Sequence, residues 1–98
     1  LKLFLWEGVS EMGIVKIFYK DDCPMCPVAK KLGEHLAAEN IGVQHYNVET
    51  ADGLAEATFY HVMALPTILV EDEDENGIGE WRGSVPRIDE VLNAFRNA

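Results

Sequence analysis

An α/β fold, with a four-stranded mixed sheet flanked by three helices in the order β-α-β-α-β-β-α, is what this 98-residue sequence predicts. Three observations carry that expectation. The apolar run Ile14 to Tyr19 stands just before a segment whose apolar residues recur at helical spacing. Further apolar runs near residues 43–48 and 67–70 follow, with a second helical segment between them. Asn76-Gly77 then separates the last run from a returning one, a turn signal between antiparallel strands. The strand-helix-strand unit implies a parallel pair and the hairpin an antiparallel one, so the sheet should be mixed.

Each element has its own warrant. Ile14 to Tyr19 reads as a buried strand. The first helix is expected from Pro24 to Asn40. Val28, Leu32 and Leu36 repeat there every four residues, Ala29 and Ala37 widen the stripe, and Lys30, Lys31, Glu34 and Glu39 cover the other side. Gly42 is placed to end it. Val43 to Val48 gives a weaker strand, with Gln44, His45 and Asn47 interleaved. Thr50 can cap a second helix over residues 51–61, where Asp52 in the first turn suits the dipole. Thr67 to Val70 forms the third strand after Pro66, and the acidic stretch Glu71 to Asn76 leads into the turn. Ile78 to Arg82 returns, and Gly83-Ser84 breaks that strand. Pro86 opens the last helix, which carries Ile88, Val91, Leu92 and Phe95 on one face. Residues 13–98 therefore read as one domain. Residues 1–12 read as a peripheral segment without catalytic work, whose apolar start, Leu1 to Trp6, is soon followed by Glu7 and Glu11.

Composition excludes several functions. At 48% hydrophobic and 26% charged residues the chain has the balance of a folded globular domain. A net charge of -9 argues against binding nucleic acid or docking on anionic membranes, both of which need a basic surface. No segment is long and apolar enough to span a bilayer. The two cysteines sit together instead of being spread over loops, so they read as a reactive site in a reducing, cytoplasmic compartment. The acidic surface makes a monomer the default.

Cys23-Pro24-Met25-Cys26 carries the chemistry. In a helix beginning near Pro24, Cys23 stands exposed at the N-cap. There the free N–H groups favour thiolate, the attacking species in disulfide exchange. Cys26 falls in the first turn, more buried, and can resolve a mixed disulfide formed at Cys23. Pro24 fixes the backbone between them. Asp21 and Asp22 oppose the thiolate, whereas Lys20, Lys30 and the helix dipole favour it, so a limited downward pKa shift is expected. The same thiols could instead carry zinc or an iron-sulfur cluster. Only His35, His45, His61 and the carboxylates are available as further ligands, however, and their spacing matches no zinc-finger pattern, so no metal site is assigned. A groove that binds partners without turnover is the third possibility. Trp6 and Trp81 read as packing residues, and Tyr19 as packing beneath the active loop. One of Phe59 and Tyr60 should point inward, His35 and His61 belong on the surface, and Glu71 to Glu75 reads as a solvated hairpin tip.

Phe18 to Cys26, Leu65-Pro66-Thr67 and Gly83 before the last helix together resemble the thioredoxin/glutaredoxin superfamily, over residues 13–97. The resemblance implies the thioredoxin-like fold and thiol-disulfide oxidoreductase activity. It further implies a cis peptide at Pro66 facing the cysteines, and a docking edge formed by Leu65, Pro66 and Thr67. Cys-Pro-Met-Cys is similar to the glutaredoxin tetrapeptide, and Lys20 stands where glutaredoxins hold the glutathione carboxylate. Met25 takes the place of a tyrosine, and the late glycine-acidic signature is reduced to Gly83-Ser84. The likeness is therefore to a glutaredoxin-like small redoxin. Such a protein has no tightly bound cofactor, acts on disulfide-containing proteins or small disulfides, and draws electrons from glutathione or a reductase.

Overall fold

The computed structural model describes residues 12–97. The expected peripheral segment, Met12 apart, and Trp6 lie outside the described residues. Seven elements follow in the expected order: β1 (Ile14–Tyr19), α1 (Cys26–Ala38), β2 (Gly42–Asn47), α2 (Ala51–Phe59), β3 (Thr67–Glu71), β4 (Gly77–Arg82) and α3 (Ile88–Arg96). The sheet order is β2-β1-β3-β4. β1 runs parallel to β2 and antiparallel to β3, and β3 pairs antiparallel with β4, so the sheet is mixed as expected.

Alternation along β1 divides the interior in two. Val15 and Ile17 point to one face, where they join Ile68 and Val70 of β3, Ala29, Leu32 and Leu36 of α1, and Val91 and Phe95 of α3. Phe18 points to the other face and packs with Leu69 and with Ala57 of α2. Lys16 shares that second face but is paired. Its ammonium reaches the Tyr60 hydroxyl at 2.6 Å and Glu71 at 3.5 Å. Burial alone disfavours the charged lysine, yet the Tyr60 hydroxyl and Glu71 outweigh it and hold the pKa above the ordinary lysine value. Of the aromatic pair, Tyr60 is the inward member and Phe59 is 74% exposed. Trp81 packs against the larger core, and His35 and His61 are exposed.

Several boundaries differ from the sequence reading, each for a local reason. α1 begins at Cys26, not Pro24: the packing of Cys26 and Ala29 selects the later start, and Pro27 takes the first-turn place where a missing N–H costs nothing. Its buried stripe is Cys26, Ala29, Leu32, Gly33 and Leu36, which leaves Val28 and Ala37 in solvent. Asn40, not Gly42, ends the helix: it adopts φ 66°, and the N–H of Ile41 returns to the Leu36 carbonyl at 3.1 Å. α2 is capped as expected, since Thr50 Oγ1 accepts from the Gly53 N–H at 3.0 Å. Gly53 is obligatory there, because a Cβ would lie 1.8 Å from the Asn47 carbonyl oxygen. α2 stops at Phe59, two residues short of expectation. His61 turns left-handed at φ 55°, and the Arg82 guanidinium binds the carbonyls of Tyr60 and His61 at 3.1 and 3.0 Å.

The hairpin is not a two-residue Asn-Gly turn. Asp72 organises a longer loop: its carboxylate accepts from the N–H groups of Asp74 and Asn76 at 2.9 Å, and Gly77 already belongs to β4. The Asn76 N–H first, helped by that of Asp74, holds the Asp72 carboxyl below its usual range. Glu71 leaves the expected solvated tip and is buried on Lys16. α3 starts at Ile88, not Pro86, with the Arg87 N–H donating to the Glu90 carboxylate at 2.9 Å.

Candidate active site

β1 ends at Tyr19, and the chain turns through Lys20, Asp21 and Asp22 before it enters α1. Cys23 lies in that turn, and Cys26 is the first residue of the helix. The Cys26 N–H donates to the Cys23 carbonyl at 3.2 Å, which folds the tetrapeptide back on itself. The two sulfurs are joined as a disulfide, with the Cα atoms 5.3 Å apart. A spacing of three residues at a helix start thus gives the geometry that a reversible dithiol needs. Cys23 is not the outward-facing residue expected from the sequence. It is only 7% exposed and Cys26 1%, and the turn through Pro24 and Met25 separates it from the helix start. The order of access is nevertheless the expected one.

Cys23 opens into a cleft of about 460 Å³, lined also by Lys20, Asp22, Pro24, Val48, Leu54, Ala57 and Val62 to Leu65. Of the candidate docking residues, Lys20, Pro24 and Leu65 meet Cys23 in this cleft. Met25, Pro66, Thr67, Gly83 and Ser84 do not line it. Met25 stands half-exposed within the tetrapeptide. Pro66 is buried behind a cis Leu65–Pro66 bond, and its carbonyl accepts from the Gly83 N–H at 2.8 Å. Gly83 has φ 77°, a conformation that suits glycine. Thr67 is buried and its hydroxyl donates to the Ala64 carbonyl at 2.7 Å, so it secures the loop from behind. Ser84 lies exposed beyond Gly83.

Sequence reasoning missed the apolar walls of the cleft: Val48, Leu54, Ala57, Val62, Met63 and Ala64. One signal was present. Val62-Met63-Ala64 precedes Leu65-Pro66 with no polar residue to compete for solvent, and Met63 is 92% exposed. The charges about Cys23 partly cancel, because Lys20 lies 3.7 Å from the Asp22 carboxylate and both are solvated. Tyr19 is half-buried at the end of β1, with the Lys30 ammonium 4.6 Å from its ring centre.

His45, on edge strand β2, presents its ring to the backbone of Gly33 and to Tyr19. Partial burial and then the Lys30 charge push its pKa below the ordinary histidine value, against the opposing pull of Glu34 and the Lys30 main chain. A histidine held low binds fewer protons folded than unfolded. Its contribution to stability is complete above the unfolded pKa of about 6.5 and is lost as pH falls through that value towards the folded one. Denaturant unfolding followed from neutral to mildly acidic pH should therefore show declining stability, with a share well under ~1 kcal/mol due to this partly exposed group. That share should vanish in His45→Gln. An unchanged pH slope in the variant would remove His45 from the account.

Among the described residues, no group of three or more His, Cys, Asp or Glu side chains is placed to hold a metal ion. Nor is any described helix long and apolar enough to cross a membrane.

The family model described as "Thioredoxin domain" matches residues 14–96. A probable thioredoxin of Archaeoglobus fulgidus is 34% identical over 64 residues, which cover 63% of this chain and 69% of that protein. A thioredoxin of Methanocaldococcus jannaschii is 33% identical over 64 residues, covering 62% and 73%. In fold, the chain is similar to a mutant thioredoxin from Halobacterium salinarum. The TM-score is 0.74 at 21% identity, over 92% of this chain and 77% of that one.

Proposed function

This chain belongs to the thioredoxin family and is a thiol-disulfide oxidoreductase, and on that premise we propose that it is a small dithiol redoxin that reduces disulfides of other proteins in the cytoplasm. The observation that carries the reading is the Cys23–Cys26 pair at the mouth of a cleft walled by Leu65. The Cys23 thiolate attacks one sulfur of the substrate disulfide and expels the other as a thiolate. The Cys26 thiolate then attacks the Cys23 sulfur, releases the second substrate thiolate and leaves the intramolecular disulfide. Two electrons from a donor return the pair to the dithiol. Cys23 is the nucleophile because it meets the docking cleft; Cys26, the less exposed of the two and outside that cleft, resolves.

In this reading the substrate strand lies along Leu65 with Pro24 and Met25 at its flank. Pro66, Thr67 and the Gly83-Ser84 bend hold that edge in place, and Lys20 meets an anionic group of the partner. The protein acts as a monomer, holds no tightly bound cofactor and serves cellular redox homeostasis and electron transport. The donor is a thioredoxin-type reductase. Glutathione is the alternative cosubstrate, disfavoured because Gly83-Ser84 lacks a following acid to hold its ammonium.

The oxidised protein should be reduced at least about tenfold faster by NADPH with a thioredoxin reductase than by NADPH, glutathione and glutathione reductase. Insulin turbidity and NADPH absorbance follow the two arms side by side. Faster turnover in the glutathione arm would reverse the donor assignment, and no turnover in either would sink the oxidoreductase cycle.

A further inference from the structure

A second cleft, of about 530 Å³, borders the active loop and shares only Lys20 with the one that Cys23 lines. Its size lies within the range of roughly 300–1,000 Å³ usual for small-molecule sites. Tyr19, Pro27 and Val28 give it an apolar wall. Val28 is 47% exposed and faces no core, although it sits on a helix whose opposite side is packed.

The charge of this cleft is out of keeping with the chain. Net charge is -9, yet three of the four described lysines, Lys20, Lys30 and Lys31, line this one place, against the carboxylates of Asp21 and Glu34. The described cations elsewhere are engaged: Lys16 with Glu71 and Glu56, Arg82 with Glu80, Arg87 with Asp89, and Arg96 with the Asn93 side chain. Lys20 is held by Asp22. Lys30 and Lys31 enter no ion pair among the described residues. The Lys30 ammonium is instead placed over the Tyr19 ring, 4.6 Å from its centre, so a charge and an aromatic wall are presented together.

We propose that this cleft binds a small molecule with a flat apolar body and one anionic group, a carboxylate, sulfonate or phosphate. The body lies against Tyr19, Pro27 and Val28, and the anion meets Lys30 and Lys31. Cys26 lines this cleft while Cys23 lines the other, so an occupant sits beside the resolving cysteine and leaves the docking cleft open.

The test is a titration of isotope-labelled oxidised protein with naphthalene-1-sulfonate, 1-naphthoate and 1-naphthyl phosphate, read from amide chemical shifts. It needs no turnover, so its failure is distinct from failure of the redox cycle. Saturable shifts at Tyr19, Val28, Lys30 and Lys31, with a Kd below about 1 mM, and unmoved amides at Leu54 and Met63 are expected. The double variant Lys30→Gln/Lys31→Gln should bind about tenfold more weakly, since each solvated cation contributes modestly. Which of the three aryl anions binds most tightly identifies the anionic group. Absence of saturation, shifts confined to Leu54 and Met63, or unchanged affinity in the double variant would each overturn the site. Equal binding by inorganic phosphate or by uncharged 1-naphthalenemethanol would overturn it too, because both halves of the ligand are claimed to be read.

Discussion

Cys23→Ser is expected to bring disulfide reduction down to background, a loss on the order of a thousandfold or more, because a serine hydroxyl is not ionised near neutral pH and is a poor nucleophile. Cys26→Ser should behave differently. Its Cys23 can still attack and expel the first thiolate, but nothing within the molecule displaces the second. The variant should accumulate as a mixed disulfide with substrate, visible as an adduct by intact mass and released by added dithiol. This asymmetry follows from position. Cys23 shares a cleft with Leu65 and Pro24, whereas Cys26 is 1% exposed and belongs to the packed stripe of α1. Insulin reduction with a dithiol donor measures the first effect, and non-reducing mass spectrometry the second. Adducts trapped by Cys23→Ser and not by Cys26→Ser would exchange the two roles.

The parts of the site that a reader of the sequence could find were those fixed by neighbours along the chain. Two cysteines three apart, after a run of apolar residues and before a helical period, can only be brought together. The near-continuous apolar run Ile14 to Tyr19 likewise declares a strand with two covered faces, and Val15, Ile17 and Phe18 are fully buried. What escaped depends on partners distant in sequence. Pro24 and Pro27 are equally good first-turn residues in isolation, and only the packing of Cys26 and Ala29 selects the later start. Glu71 looked like the first of five acids in a loop. Its actual partner, Lys16, lies on the neighbouring strand β1, and that pairing draws the carboxylate under cover. The apolar cleft walls come from Val48, α2 and the loop after it, segments whose distance from Cys23 no local pattern encodes. Gly42 and Asn40 make the same point on a smaller scale. Either residue can end a helix, and the return of the Ile41 N–H to Leu36, both in the larger core, decides for Asn40.

Phe18→Ala is expected to destabilise the protein by about 3–5 kcal/mol, the usual cost of emptying a fully buried phenylalanine site. The ring has little chance of being replaced by collapse. It stacks on Tyr46 with centroids 5.1 Å apart and lies tilted against Tyr60 at 6.2 Å, and both neighbours are anchored from outside the cavity. Tyr60 is bonded to Lys16, and Tyr46 to Gln44. Denaturant unfolding of oxidised protein measures the loss, and Phe18→Leu should recover part of it by refilling volume. A loss below about 1 kcal/mol would mean that the second core contributes little. The consequence reaches the active site as well. Val48, Ala57, Val62 and Leu65 pack in the Phe18 cluster and also line the cleft that Cys23 opens into. Removing the ring loosens those walls while leaving the cysteine pair itself untouched. Under conditions where Phe18→Ala remains folded, KM for a protein disulfide should rise more than kcat falls. A small disulfide that needs only the sulfurs should be reduced nearly as well as before. Equal losses on both substrates would instead place the damage at the dithiol, and would show that Phe18 supports the chemistry directly rather than the surface that receives the partner.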